Sequence, residues 1–101
     1  MGKIDIYKVG NVLNTSTSGN EQEKILKLLE SHHHIGLDLS RCTYVSSAGL
    51  RVMLYAYKVA SGKGGRVDLI GVSKEIREVM DMTGFSRFFK IYRTVEECIG
   101  Q

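Results

Sequence analysis

The stretch Ile35-Gly36-Leu37-Asp38-Leu39-Ser40, followed by Tyr44-Val45-Ser46-Ser47-Ala48-Gly49-Leu50-Arg51-Val52-Met53-Leu54, decides the fold. In its first part, Ile35, Leu37 and Leu39 alternate with Gly36, Asp38 and Ser40, the two-residue period of a strand with a buried face. In its second part the period lengthens. Leu50, Met53, Leu54 and Tyr57 fall at i, i+3, i+4 and i+7, which predicts a helix over Ala48 to Ala60 with an apolar stripe against a sheet. Ser46 and Ser47 stand where strand gives way to helix. Serine suits that place because its side-chain oxygen accepts a bond from an N–H that has no partner in the helix. The same helix mouth carries partial positive charge and tolerates a phosphate, and a phosphoserine adds about −1.5 to −2 charges. Residue type alone leaves both roles open. Gly49, beside the serines, is read as keeping the turn open to another protein's active site.

Outward from this segment the pattern repeats. Lys3 to Lys8 alternates Ile4 and Ile6 with polar neighbours, as in a short half-buried strand, and Gly10-Asn11 marks a turn before a second, weaker strand returning over Asn11 to Thr15. Asn20 with Glu23 three residues on resembles a capping box, which starts a helix carrying Ile25, Leu28 and Leu29 on one face and ending near Ser31 to His33. Beyond the central helix, Gly62-Lys63-Gly64-Gly65 is a stop, and Val67 to Ile70 reads as a strand covered on both faces. Ser73 caps a third helix with Ile76, Val79, Met80 and Thr83 at helical spacing. Phe85, Phe88, Phe89 and Ile91 lead into a last strand, and Thr94-Val95-Glu96-Glu97 opens a short helix. Strands separated by helices require crossovers. The expectation is an α/β single domain over 1–101, with a mixed, largely parallel sheet of four to five strands covered by helices.

Composition narrows the function classes. With 101 residues there is room for one small domain, and 43% apolar against 25% charged content allows a core and a soluble surface. No apolar run approaches the roughly 18 residues of a membrane span, so no direct membrane insertion is expected. Met1-Gly2-Lys3-Ile4-Asp5 lacks a secretory leader, and Ile6 stands where an N-myristoylation signal needs Ser or Thr. A cytoplasmic location follows as the expectation. The net charge of +3 is mild and its cations are scattered, apart from a loose group at Lys58, Lys63 and Arg66, so no nucleic-acid partner is expected. Cys42 and Cys98 form no C-x-x-C pair and are read as buried thiols.

No enzyme is expected either. A nucleophilic Ser47 would need a G-x-S-x-G elbow, but Val45-Ser46-Ser47-Ala48-Gly49 stands there, and it would need a base within reach. The only histidines are His32, His33 and His34, whose consecutive positions cannot converge on one site and suit a helix C-terminus. Gly62 to Gly65 runs from helix to strand, the reverse of a phosphate-cradling loop. Cofactor and metal are both expected to be none.

Asp38-Leu39-Ser40 ending a strand, then Tyr44 to Leu54, resembles the signature of STAS domains, and more narrowly of bacterial anti-sigma factor antagonists (anti-anti-sigma factors). Gly64-Gly65-Arg66-Val67 and Val79-Met80-Asp81-Met82-Thr83-Gly84-Phe85 extend the resemblance over roughly Ile35 to Ile99. It implies a protein that binds an ATP-dependent anti-sigma factor serine kinase while unphosphorylated, frees a sigma factor, and is switched off by phosphorylation and restored by a serine phosphatase. Aligning Gly49-Leu50 with the Gly-Leu of the family's D-S-[ST]-G-L pattern places the acceptor at Ser47. Ser46 then replaces the usual aspartate and becomes the second candidate, and Ala48 replaces the following Ser or Thr. Arg51 stands where glycine is common. Gly19-Asn20-Glu21-Gln22 lies near the place of the family's Gly-Glu-Leu-Asp after the second strand. The implied partner surface is Ser46, Ser47, Ala48, Gly49, Leu50, Arg51, Val52 and Tyr55, with Val52 or Tyr55 supplying apolar contact from beside the core stripe. The alternative within the family is a constitutive STAS adaptor, or a regulatory subunit of a transport complex, without phospho-switching.

Overall fold

The computed structural model of the chain describes residues 4–100. Met1, Gly2 and Lys3, which enter the expected first strand and the terminal motif readings, lie outside the described residues. In chain order the elements are β1 (Asp5–Lys8), β2 (Val12–Leu13), α1 (Thr15–Leu29), β3 (His34–Asp38), β4 (Tyr44–Val45), α2 (Ser47–Gly62), β5 (Arg66–Ile70), α3 (Lys74–Thr83), a 3-10 turn (Phe85–Phe88), β6 (Lys90–Tyr92) and α4 (Val95–Ile99). Four strands form a sheet in the order β1-β3-β5-β6, and every pairing in it is parallel. The α/β class therefore stands, with α1, α2 and α3 lying in the connections that parallel neighbours demand.

The N-terminal third departs from expectation. The strand expected to return over Asn11 to Thr15 is only β2, and it pairs in parallel with β4: Val12 opposite Tyr44, Leu13 opposite Val45. It stops there because Asn14 caps α1. The Asn14 side chain accepts from Ser16 N at 2.9 Å and Thr17 N at 3.1 Å, while Thr17 Oγ1 accepts from Asn14 N at 3.0 Å. This reciprocal box uses Thr where the sequence pattern looks for Glu or Gln, so the helix begins at Thr15 and Asn20 is an interior residue rather than a cap. Gly19 to Gln22 accordingly lies inside α1, not in a loop after the second strand. Glu21 there accepts from Tyr7 Oη and from Gly10 N, tying β1 and its turn to the helix. The Tyr7 phenol is pushed up by burial and by that carboxylate.

Alternation divides the sheet into two unlike faces. Ile35, Leu37, Val67 and Leu69 meet Ile25 and Leu29 of α1, Met53 and Ala56 of α2, and Ile76 and Met80 of α3 in the main core. A side chain of this size contributes about 1.5–3 kcal/mol when fully buried. The stripe of α2 is rotated from the expected one. Its buried residues are Gly49, Leu50, Val52, Met53, Ala56 and Ala60, whereas Leu54 and Tyr57 are only partly covered. Small residues at 49, 56 and 60 let the helix approach closely, and a reading weighted to large apolar side chains passes over them. The opposite face carries His34, Gly36, Asp68 and Ile70, and α4 lies across it. A Cβ on Gly36 would stand 2.9 Å from Ile6 Cδ1 and 3.0 Å from Ile70 Cδ1, so glycine here leaves room for the two isoleucines of the neighbouring strands.

Candidate functional site

The segment from β4 into α2 is built by backbone bonds before any side chain enters. Ser46 N donates to Leu13 O at 2.9 Å and Leu50 N donates to Ser46 O at 2.9 Å, so the end of the β2–β4 pair feeds straight into the first helical turn. Ser46 has extended geometry (φ −88°, ψ 178°) and its Oγ accepts from Gly49 N at 3.4 Å. It is the N-cap. Ser47 is the first helical residue, exposed, with its hydroxyl outside the capping bond. No acidic side chain sits in the first turn of α2, so the partial positive charge of its N-terminus has no compensating carboxylate there.

The expected surface residues separate into two sets. Ser47, Arg51 and Tyr55 are exposed, Tyr55 at 46%, and Ser46 and Ala48 are partly exposed. Gly49, Leu50 and Val52 are buried, Val52 at 4% exposure. Val52 is thus a core residue, because the rotated stripe of α2 includes it, and Tyr55 alone of the expected pair is exposed. Gly49 does not hold the turn open. A Cβ there would collide with the Leu13 carbonyl oxygen and stand 2.8 Å from Leu13 Cγ and 2.9 Å from Val45 Cγ1, so the glycine packs the first turn of α2 onto β2.

Ser47, Arg51, Tyr55 and Lys58 recur at spacings of four, four and three residues, which places them along one side of α2. Arg51, Leu54, Tyr55 and Lys58 line a groove of about 420 Å³ with Gln22 of α1. A smaller cavity of about 100 Å³ lies on the other flank of the serine turn, lined by Tyr44, Val45, Leu50, Ile76 and Val79 among others. Gln22 and Lys58 of the groove, and Tyr44 beside the turn, are site neighbours that periodicity did not select. Lys58 was legible only as one of a basic group, and the structure disperses that group. Lys63 Nζ donates to Leu29 O at 2.6 Å and closes the end of α1, while Arg66 lies 3.3 Å from Asp68.

The histidines are far from the serines. His32 Nδ1 is 3.1 Å from Leu28 O, the expected contact with a helix C-terminus. His34 departs from expectation: it is the first residue of β3, and its Nε2 lies 2.6 Å from Asp68 Oδ2. Two acceptors cannot approach so closely without a proton between them, so imidazole and carboxyl share one hydrogen bond. Arg66 Nε donates to the same nitrogen at 3.1 Å and lies 3.3 Å from Asp68 Oδ1, a buried oxygen with no hydrogen-bond partner of its own. Cys98 Sγ lies 3.9 Å from Asp68 Oδ2, and burial together with the Asp68 charge pushes the thiol up to about 11. Both cysteines are buried, as expected. This cluster starts at the N-terminal end of β3, whereas the serines lie past the C-terminal ends of the strands, so no imidazole there can serve Ser46 or Ser47 as a base. Among the described residues no helix is long and apolar enough to cross a membrane.

The comparisons with known proteins agree with this geometry. The family model described as the STAS domain matches residues 2–98. A protein of Bordetella bronchiseptica named as an anti-sigma factor antagonist, BtrV, is 31% identical over 100 residues, covering 95% of this chain and 86% of its own. The crystal structure of an anti-sigma factor antagonist from Thermotoga maritima matches with a TM-score of 0.86 at 25% identity, over 99% of this chain and 91% of the other. The Bacillus cell fate determinant SpoIIAA in its phosphorylated form shares the fold, with a TM-score of 0.76 at 19% identity over 99% and 91% of the two chains. A STAS-domain match over nearly the whole chain, with these relatives, means that the chain belongs to the STAS domain family, among the anti-sigma factor antagonists.

Proposed function

We propose that the chain works as a phosphorylation-controlled antagonist: unmodified, it binds an ATP-dependent anti-sigma factor serine kinase through the exposed side of α2 and releases a sigma factor. Phosphorylation of Ser47 ends that binding, and a serine phosphatase restores it. The observation that carries this reading is the division of labour between the two serines. Ser46 supplies the cap and is partly covered, while Ser47 is exposed at a helix N-terminus and its hydroxyl has no part in the cap. A kinase can take Ser47 without dismantling the turn, and a dianion at that place is compatible with the helix. In the transfer, Oγ of Ser47 bonds to the γ-phosphorus of ATP, ADP leaves, and the hydroxyl proton passes to a base of the kinase. That SpoIIAA, a neighbour in fold, has a structure in a phosphorylated form supports the same reading.

A useful switch needs an affinity change of about 10² to 10³, or about 3–4 kcal/mol. Repulsion and desolvation of a dianion in a close interface are of that size. The test is incubation with candidate serine kinases encoded beside this protein, followed by mass spectrometry of the serine peptide and binding measurements. Ser47→Ala is expected to lose the phosphate and bind constitutively, and Ser47→Asp to bind weakly. Full phosphorylation of Ser47→Ala would transfer the acceptor role to Ser46.

A further inference from the structure

Arg51 stands four residues after Ser47, on the same side of α2 and one turn closer to the C-terminus. Among the described residues no carboxylate forms an ion pair with Arg51 or Lys58; the described pairs involve His32, His34, Arg66 and Arg77. Two cations without intramolecular partners therefore flank Tyr55 in the groove with Gln22 and Leu54. Cations around an amphipathic ring fit an acidic segment of a protein partner, whose carboxylates would meet Arg51 and Lys58 while an apolar side chain rests on Tyr55.

We infer that Arg51 reads the modification state of Ser47: it binds an acidic side chain of the partner when Ser47 is free, and turns back to the phosphate when Ser47 is phosphorylated. This rests on the phospho-switch proposed above and gives that switch a mechanism. An anion N-terminal to a cation at i, i+4 is the favourable order along a helix, and guanidinium meets phosphate through paired N–H donors. The phosphate then acts twice. It brings negative charge to the rim that an acidic partner must approach, and it removes one of the two cations that attract that partner. The geometry is specific to Ser47. The residue four after Ser46 is Leu50, which is buried, so a phosphate on Ser46 has no cation at the same spacing.

The first test needs no partner. Phosphoserine is incorporated at position 47 during synthesis, and the phosphate is titrated by phosphorus NMR in the wild-type background, in Arg51→Gln and in Lys58→Gln. Arg51→Gln is expected to raise the second phosphate pKa by about 0.15–0.4 of a unit, the shift that a helical ion pair supports, and Lys58→Gln to leave it in place. Phosphoserine at position 46 is expected to be indifferent to Arg51→Gln. An unchanged value in Arg51→Gln with phosphoserine at 47 overturns the capture. The second test measures binding of the unphosphorylated chain to the kinase that modifies it. Arg51→Glu and Lys58→Glu are each expected to weaken binding about tenfold, with wild-type affinity falling as salt rises, while Lys74→Glu on α3 stays within about twofold. If the kinase binds and both reversals stay within that margin, the acidic-segment assignment is overturned while the phospho-switch survives. If no kinase binds, the switch fails, and the phosphate titration still decides whether Arg51 answers to Ser47.

Discussion

One polar cluster stands at the entry to α2 and another on the α4-covered face of the sheet, and their surroundings differ. At the entry to α2, Ser47 and Arg51 are exposed and take no part in the core. Across the other face, Asp68 is wholly buried, with His34 at 2.6 Å, Arg66 at 3.3 Å and Cys98 at 3.9 Å. A surface whose charge is meant to change must cost the fold little in either state. A buried carboxylate cannot be so free, because each partner offsets its desolvation. Under the proposed switch, regulation belongs to the first cluster and architecture to the second, a contrast that can be broken from either side.

The largest effect is expected from His34→Ala. It strands most of the Asp68 charge in the interior. The loss should be about 1.5–3 kcal/mol, the range for a hydrogen bond to a charged group. Urea unfolding reads it as a lower midpoint with an unchanged slope. If His34→Ala unfolds at the wild-type midpoint, the cluster is not architectural and the comparison fails. The same cluster predicts a pH dependence. The Cys98 thiol is raised from its ordinary 9.0 to about 11 by burial first and the Asp68 charge second, so the folded state holds its proton more tightly than the unfolded chain. Stability from this source is fully present below pH 9 and is lost as pH rises through 11. Cys98→Ala should show a shallower alkaline decline than wild type over that interval.

Gly49→Ala comes next and tests where the regulatory end becomes structural. A methyl group there meets the Leu13 carbonyl, a backbone atom that cannot swing aside. Overpacking of this kind costs about 1–3 kcal/mol, seen as a lower thermal midpoint. The lesson for a docking reading is specific: Gly49, Leu50 and Val52 belong to the core although they lie within the segment that carries the family resemblance.

The sequence showed the serine turn because everything that defines it is local: a strand period, a cap residue and a helix period within about twenty positions. The parallel crossover connections followed from the alternation of strands and helices, whereas the strand order β1-β3-β5-β6 did not. What escaped was non-local or small. His34, Asp68 and Cys98 are joined only by the parallel register and by α4, and a run of three histidines after a helix gave no hint that the last would enter a strand. The β2–β4 pair has two residues a side, too few for a period to register. Asn14 carries no acid-closed signature in the sequence, because its box closes with Thr17. The rotation of α2 has no signal in large apolar side chains, because alanines and a glycine set it.

The smallest effects separate the two serines, and they should differ in sign. Ser46→Ala removes the oxygen that accepts from Gly49 N and should cost about 1 kcal/mol, toward the lower part of the usual range because that bond is long at 3.4 Å. Ser47→Asp places a carboxylate in a first helical turn that has no acid, and should add about 0.3–1 kcal/mol at low ionic strength, fading as salt is added. Yet Ser47→Asp is also the change expected to weaken partner binding. A variant that gains stability while losing affinity cannot owe that loss to unfolding, so paired melting and binding curves on this one protein isolate the surface effect. Should Ser47→Asp destabilise the chain instead, the rim of α2 is more tightly built into the fold than its exposure indicates, and regulation and architecture are not separate there.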